Sequence, residues 1–218
     1  MQRLFVISDI HGHVEGTKRL LKLAGYKPEV DRLIMLGDYI NMDSDAKNTL
    51  RPIRMLHSGG AIALAGNMER AYLLQHACKN PGEKPIEGPA TRKFMESLPL
   101  YYRRGSYLFV HAGIRPGIPL KSQREEDLVS IRQEFWGSKT ACAFNIVFGH
   151  TPTQHMGAEP GELWHGPRML GIDTGAKHSQ RLTLVELTGK IAYSCSTESD
   201  RMYEDVRLTN WGEQSQLR

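Results

Sequence analysis

Residues able to hold a cation follow the first apolar run of the chain, where Leu4–Ile7 leads into Ser8-Asp9-Ile10-His11-Gly12. Side chains two residues apart point to the same side of an extended chain. The Asp9 carboxylate and the His11 imidazole can therefore bind one ion together. Whether this is a metal site depends on further ligands from other strands.

Four more apolar runs end in a residue that can bind a metal, each with a glycine next to it or close by; these residues are Asp38, Asn67, His111 and His150. Glycine permits sharp backbone turns, and ligands of open α/β sheets bind outside the carboxyl ends of the strands. Burying a polar group without a purpose is costly, so five such strand ends are hard to explain as unrelated events. The pattern predicts that all six side chains meet in one crevice.

The donor set suits two cations rather than one. Six protein ligands with Asp38 as a bridge give each ion three or four donors and leave room for water. A water between two divalent cations is acidified towards hydroxide and can attack phosphorus. Mixed nitrogen and oxygen ligation favours manganese, iron or zinc over calcium. We expect two divalent metal ions, with manganese as the first candidate.

The elements that must position these ligands alternate between strand and helix. Strands are predicted at 4–7, 32–36, 61–65, 107–111, 145–148, 168–172, 181–187 and 191–195. Helices are predicted at 14–24, after Ser44 or Asp45 with a kink at Pro52, and at 69–79, 91–98 and 125–136. This alternation favours βαβ units and a largely parallel sheet. The polar tail after about residue 198 is expected to be loosely held.

Composition is typical of one globular domain over residues 1–218, with 40% hydrophobic and 24% charged residues. The net charge of +4 comes from scattered residues, so no nucleic-acid binding is expected. The chain has an odd number of cysteines, and they are widely spaced: Cys78, Cys142 and Cys195. This argues against a disulfide framework and favours a reducing compartment. Without a membrane-length apolar run or a signal-peptide pattern, we predict a cytoplasmic protein with no membrane contact.

Taken in order, the motifs resemble those of the calcineurin-like metallophosphoesterases. They are Asp9-x-His11-Gly12, Gly37-Asp38-Tyr39, Gly66-Asn67-x-Glu69, His111-Ala112-Gly113 and Gly149-His150-Thr151-Pro152. The nearest branch is the phosphoprotein phosphatases, with bacterial and phage serine/threonine phosphatases and symmetrical dinucleoside tetraphosphatases. Its closing motif resembles Ile172-Asp173-Thr174-Gly175-Ala176 followed by Arg181-Leu182-Thr183. The resemblance covers about residues 4–187.

The resemblance implies an α/β fold: a four-layer α/β/β/α sandwich of two mixed sheets, with a helical and loop excursion at about 70–104. It also implies a phosphoric ester hydrolase. Asp9, His11 and Asp38 would hold one metal. Asp38, Asn67, His111 and His150 would hold the other and serve catalysis.

Two motifs depart from the family pattern. The branch normally has an aspartate, an arginine and a histidine where this chain has Asn41, Met42 and Met68. In the family the histidine and aspartate protonate the leaving oxygen, and the arginine clamps the phosphate. Losing general-acid help typically costs about 10²–10⁴-fold, most for poor leaving groups. Phosphotyrosine, nucleotide or anhydride substrates are therefore favoured over phosphoserine.

One phosphate clamp is still expected. Arg132, in Ile131-Arg132-Gln133-Glu134-Phe135, resembles a second phosphate-binding arginine of the branch, although a solvated charge on a helix is the alternative. His178 is a weaker candidate for the site, and His13 is expected at its rim. The remaining histidines outside the motifs are assigned to the surface or to packing: His57, His76, His155 and His165.

Three functions stay open at this point. The first is an active two-metal phosphatase acting on a phosphoprotein, nucleotide or dinucleotide. The second is a dinucleoside polyphosphate hydrolase. The third is a metal-binding pseudophosphatase with a regulatory role, because an intact ligand set beside a dismantled acid dyad fits either an enzyme or a relic of one.

Overall fold

The computed structural model describes residues 2–42, 46–77, 88–138 and 143–214. The strands are β1 (Leu4–Ile7), β2 (Arg32–Met35), β3 (Ile62–Ala63), β4 (Tyr101–Arg104), β5 (Tyr107–Val110), β6 (Asn145–Phe148), β7 (Trp164–Gly166), β8 (Met169–Gly171), β9 (Arg181–Glu186), β10 (Ile191–Ser196) and β11 (Arg207–Asn210). The helices are α1 (Val14–Leu23), α2 (Ala46–Ser58), α3 (Asn67–Ala77), α4 (Pro89–Ser97), α5 (Glu125–Ser130), α6 (Gln133–Trp136) and α7 (Trp211–Gln214).

The strands form two mixed sheets. The first has the order β11-β10-β9-β1-β2-β3, in which β1, β2 and β3 are parallel and β9 is antiparallel to β1. The second has the order β4-β5-β6-β8-β7, in which β5, β6 and β8 are parallel and both edge strands are antiparallel. The parallel strands of each sheet therefore bring their carboxyl ends to one edge.

Alternation along β1 assigns its side chains to two different layers. Phe5 and Ile7 are buried in a cluster with Leu20 of α1. Val6, between them, is buried with Phe109 in the cluster that joins the two sheets. Because strand side chains alternate between faces, a strand packed on both faces is apolar at every position.

The second sheet repeats this arrangement on its other side. Phe148 of β6 packs with Leu128 and Phe135, which belong to α5 and α6. Val147 faces the first sheet. Fully burying such a side chain contributes about 1.5–3 kcal/mol. The order is thus helices, sheet, sheet, helices, and the predicted four-layer α/β/β/α sandwich is confirmed.

The helix predicted over 125–136 is wrong as a single element. α5 ends at Ser130, and α6 starts only at Gln133, with Arg132 in a non-helical conformation (φ −127°, ψ −115°). Ile131 between them is buried in the core of the second sheet. The Ser130 carbonyl lies 3.2 Å from His150 Nε2 instead of continuing a helix. Tertiary contacts therefore break a segment whose local pattern is helical.

The prediction of a loosely held tail is also wrong for its described part. β11 pairs with β10 along four residues, and Trp211 packs against the cluster between the sheets. Arg181 Nη1 bonds Asp205 Oδ2 at 2.7 Å. The edge strands β4 and β7 were not predicted, because short, partly exposed strands carry little apolar pattern.

Several predictions fall outside the described residues. They concern Ser44 or Asp45 as a helix cap, Cys78, Cys142 and the central part of the excursion at 70–104. α2 runs through Pro52, and Cys195 is buried in β10. None of the helices in the described ranges has both the length and the apolar character needed to cross a bilayer.

Candidate metal centre

The six residues predicted as metal ligands all lie just beyond strands whose carboxyl ends face one crevice. Asp9 and His11 follow β1, Asp38 follows β2, and Asn67 begins α3 after β3. His111 and His150 follow β5 and β6 of the second sheet. The crevice therefore draws ligands from both sheets.

Asp9, His11 and Asp38 form the first group of donors. Their candidate ligand atoms all lie within 4.8 Å of one another. His11 Nε2 is 3.8 Å from Asp9 Oδ1 and 3.7 Å from Asp38 Oδ2. These separations are too long for hydrogen bonds. They suit donors that share a cation, since ligand-to-metal distances are about 2.0–2.2 Å.

Asp38, His111 and His150 form the second group, again within 4.8 Å of one another. His111 Nε2 is 3.4 Å from Asp38 Oδ1 and 3.0 Å from Asn67 Oδ1. Asp38 thus turns Oδ2 towards His11 and Oδ1 towards His111. A carboxylate with one oxygen facing each group is placed to bridge two ions.

The hydrogen bond of His111 selects the tautomer that a metal needs. Its Nδ1 lies 3.0 Å from the Leu36 carbonyl oxygen, which can only accept. Burial lowers the pKa of His111, so the neutral ring leaves Nε2 with a free lone pair. That lone pair faces the oxygens of Asn67 and Asp38, an assembly of acceptors that a cation would satisfy.

Four of the ligands have left-handed backbone conformations, which non-glycine residues rarely adopt. Their φ angles are 50° at Asp9, 43° at His11, 52° at Asp38 and 65° at His150. Each such residue costs about 1–3 kcal/mol unless the surroundings enforce it. The strained conformations occur at residues whose side chains line the crevice.

Two glycines allow the ligand loops to approach each other. A Cβ on Gly66 would lie 2.2 Å from Asp38 Oδ1, and one on Gly149 would lie 2.1 Å from Asp9 Oδ2. Both distances are far below van der Waals contact. These glycines are therefore required by the positions of the two carboxylates.

Glu69 holds the Asp38 loop in place from the first turn of α3. Its fully buried carboxylate accepts hydrogen bonds from the backbone N–H groups of Asp38, Tyr39 and Gly66 at 2.9, 2.9 and 3.0 Å. Sequence reasoning treated Glu69 only as part of a motif and missed this role. The available signal was an acidic residue in the first turn of a helix next to a strand end.

Asp9 joins the two sheets through its second oxygen. Oδ2 accepts hydrogen bonds from the backbone N–H of His150 at 2.9 Å and from Ser8 Oγ at 2.5 Å. Oδ1 stays directed towards His11. The carboxylate is thus oriented by the protein before any ion binds.

The electrostatics of the crevice favour a cation. Burial, with Glu69 and Asp9, raises the pKa of Asp38 well above its usual range. Burial and Asp9 do the same for the pKa of Asp173. Burial and the neighbouring His111 lower the pKa of His150 to about 3. Crowded carboxylates and neutral imidazoles are the state that a divalent ion stabilises, so these residues fit two such ions.

The crevice has a volume of about 290 Å³. Its walls beyond the ligands are formed by Met68, Arg132, Pro152, His155, Asp173, Lys177 and His178. Arg132, the predicted phosphate clamp, is placed there by the break between α5 and α6. His155 is exposed but lines the crevice, and together with Lys177 it was not recognised from the sequence.

The other histidines lie elsewhere. His13 is 3.1 Å from the Tyr203 hydroxyl, and His57 packs beside Phe94. The rings of His76 and Tyr72 are stacked. His165 lies against Trp211. Sequence reasoning had assigned the last three to the surface or to packing.

Asn41, Met42 and Met68 differ in their positions relative to the crevice. Met68 is buried and lines the crevice. Asn41 Nδ2 donates a hydrogen bond to the His11 carbonyl at 3.0 Å. Met42 is 38% exposed and does not appear among the described lining residues. A thioether therefore stands beside the candidate ligands.

Comparison with protein families gives a match over most of the chain. The family described as calcineurin-like phosphoesterase matches residues 2–179. The chain belongs to this family. The resemblance found in the motifs is thereby confirmed, and the family is one in which two metal ions are bound.

Two curated relatives of this family member are symmetrical bis(5'-nucleosyl)-tetraphosphatases. The protein of Methylococcus capsulatus is 35% identical over 123 residues, which cover 52% of this chain and 44% of the relative. The protein of Aromatoleum aromaticum is 30% identical over 125 residues, covering 52% and 45%. The chain spans about half the length of the curated relatives that it matches.

A crystal structure with the same fold comes from a protein provisionally named as a diadenosine tetraphosphatase. The TM-score is 0.73 and the sequence identity 22%, with 91% of this chain and 95% of the other covered. At this identity the likeness concerns the fold alone.

Proposed function

We propose that the protein is a metal-dependent phosphoric ester hydrolase that uses two divalent cations. The observation that carries the proposal is the pair of buried donor groups sharing Asp38, in a chain of the calcineurin-like phosphoesterase family. Left-handed backbone conformations at the ligand positions and closely spaced buried carboxylates are both unfavourable unless a bound cation stabilises them. We assign the ions to Asp9, His11 and Asp38, and to Asp38, Asn67, His111 and His150.

Divalent cations held there would supply a hydroxide nucleophile at neutral pH by lowering the pKa of a water. The protein side chains hold the geometry: Asp38 bridges the two groups, and Glu69 fixes the loop that carries it. Arg132, at the wall of the crevice, would bind an oxygen of the reacting phosphate. Manganese is our first choice of ion, with iron or zinc as alternatives, because the ligands mix nitrogen and oxygen.

The leaving group decides the substrate class. Met68 stands beside the ligands and cannot donate a proton. Substrates whose leaving oxygen needs little protonation are therefore favoured, namely phosphotyrosine, nucleotides and phosphoanhydrides. We place such substrates, and the protein itself, in the cytoplasm.

A second candidate is a dinucleoside polyphosphate hydrolase. Two observations favour it: the curated relatives carry that activity in their names, and an anhydride leaves without strong acid help. A metal-binding pseudophosphatase is the third candidate, favoured by the loss of the family dyad at Asn41 and Met68.

The test is a panel of substrates with the manganese-loaded protein: p-nitrophenyl phosphate, its bis-ester, phosphotyrosine and phosphoserine peptides, and diadenosine tetraphosphate. We expect metal-dependent turnover that Asp38→Asn removes and that Asp200→Asn, at an exposed site, does not. Turnover of the dinucleotide alone would select the second candidate. Stoichiometric manganese binding without any turnover would leave only the pseudophosphatase.

A further inference from the structure

Two basic side chains, Arg132 and Lys177, line the crevice together with five of the six candidate metal ligands. Arg132 is on the side of His150, because the Ser130 carbonyl two residues earlier lies 3.2 Å from His150 Nε2. It is exposed, so its guanidinium can reach a bound anion.

Lys177 reaches the crevice from a different element. It lies in a short 3-10 helix, Ala176–His178, that follows the Asp173 turn. The Ala176 carbonyl accepts a hydrogen bond from Thr197 Oγ1 at 3.0 Å. This bond holds the backbone of the turn, while the Lys177 side chain remains exposed.

Arg132 and Lys177 therefore reach one crevice from two separate elements, the break between α5 and α6 and the turn that follows Asp173.

We propose that Lys177 binds a non-reacting phosphate of a polyphosphate chain whose reacting phosphate lies between the metal groups and Arg132. The two cations would then select substrates with several linked phosphates over simple monoesters. This inference rests on the proposed phosphoesterase function, and it adds a residue that sets the substrate class.

Size and charge support a chain of phosphates. The crevice volume of about 290 Å³ corresponds to roughly ten water molecules, a space that the metal ions and the phosphates would share. A monoester phosphate that is held by two ions and Arg132 does not need Lys177 as an additional cation. Lysine is a compact charge on a flexible stem, which suits a phosphate whose position varies with chain length.

The test measures binding, so that it does not depend on turnover. Isothermal titration of the manganese-loaded protein would use adenosine 5'-(β,γ-methylene)triphosphate and orthophosphate as probes, at a fixed free manganese concentration. Lys177→Gln should weaken the triphosphate Kd by about three- to fivefold, as expected for an exposed ion pair. The effect on the orthophosphate Kd should be clearly smaller. Lys177→Arg should restore the selectivity, and Lys121→Gln, at an exposed lysine outside the crevice, should change neither Kd.

Several results would overturn the inference: equal weakening of both probes, no change for the triphosphate, or a wild-type protein that binds the triphosphate no better than orthophosphate. The salt dependence gives a further check, because removing one phosphate contact should flatten the slope of log Kd against log salt. Selective triphosphate binding without turnover on any substrate would instead contradict only the proposed hydrolase.

Discussion

Asp38 and Lys177 line the same crevice, yet the protein holds them in very different ways. Asp38 is 3% exposed, has a left-handed backbone and is fixed by Glu69 beneath it. Lys177 is exposed on a single turn of 3-10 helix. The floor of the crevice is thus determined by buried strand ends, whereas Arg132 and Lys177, the basic residues of its wall, are exposed. We therefore expect metal binding and substrate choice to be separable.

The largest effect is expected from removing the Asp38 carboxylate, which the two donor groups share. Asp38→Asn should lower manganese-dependent turnover by about 10³-fold or more, because bound ions contribute several kcal/mol to the transition state. The metal-free variant should nevertheless be at least as stable as wild type. In the wild type, burial together with the neighbouring Glu69 and Asp9 raises the pKa of Asp38. The negative charge of Asp38 therefore destabilises the metal-free wild type, and Asn removes that charge.

Urea unfolding with manganese and with a chelator checks both halves of this prediction. Manganese should raise the unfolding free energy of the wild type by ligand linkage and that of the variant much less. A metal-free Asp38→Asn protein that is clearly less stable than wild type would contradict the charge-crowding argument.

Changing the wall should alter selectivity rather than metal binding. Met68→His combined with Asn41→Asp introduces the proton-donor pair that the motif resemblance predicts, and it should raise phosphoserine turnover by about 10²-fold. Phosphotyrosine turnover should change little, because a phenolate leaves without much proton donation. The measurement is kcat for both peptides at equal manganese occupancy. Met55→His, at a 68% exposed site, is the control, and a uniform rise on both peptides would count against the leaving-group argument.

A smaller effect is expected from changing Glu69, which holds the Asp38 loop by hydrogen bonds. Glu69→Gln replaces one acceptor oxygen by a donor, so at least one buried backbone N–H loses its partner at a cost of about 1–3 kcal/mol. Manganese affinity should fall about 10–100-fold, as for other residues that orient metal ligands. Titration calorimetry and urea unfolding measure the two effects.

Glu96→Gln provides the matched control for this change, because Glu96 is a surface residue paired with Arg92 at 2.9 Å. We expect a loss of no more than about 1 kcal/mol there and no change in manganese affinity. An unchanged affinity in Glu69→Gln would show that the Asp38 loop keeps its position without this carboxylate.

The floor was the part of the molecule that the sequence predicts well. Asp38 and His150 each follow an apolar strand and adjoin glycine, and strand ends meet at a sheet edge whatever the loops do. The four layers follow for the same reason, since Phe5, Val6 and Ile7 are apolar on both faces of one strand.

The wall could not be predicted in the same way. Residues 125–136 have a helical pattern, and only the tertiary contact between Ser130 and His150 reveals the break that places Arg132. Lys177 and His155 carry no local signal, because their positions depend on how exposed turns close over the sheet edge. β11 was missed because Arg207 and Leu208 are exposed and show no alternation towards a core.

The second donor group has a mechanical consequence, because it takes Asp38 from one sheet and His111 and His150 from the other. A slip of one residue between the sheets, about 3.3 Å, is about as large as the 3.4 Å distance between Asp38 Oδ1 and His111 Nε2 and would pull the group apart. The apolar interface around Val147 therefore sets the spacing of these ligands. Metal affinity therefore reports how the two sheets are aligned. A core substitution between the sheets can be detected as a change in metal affinity, even when it lies far from the crevice.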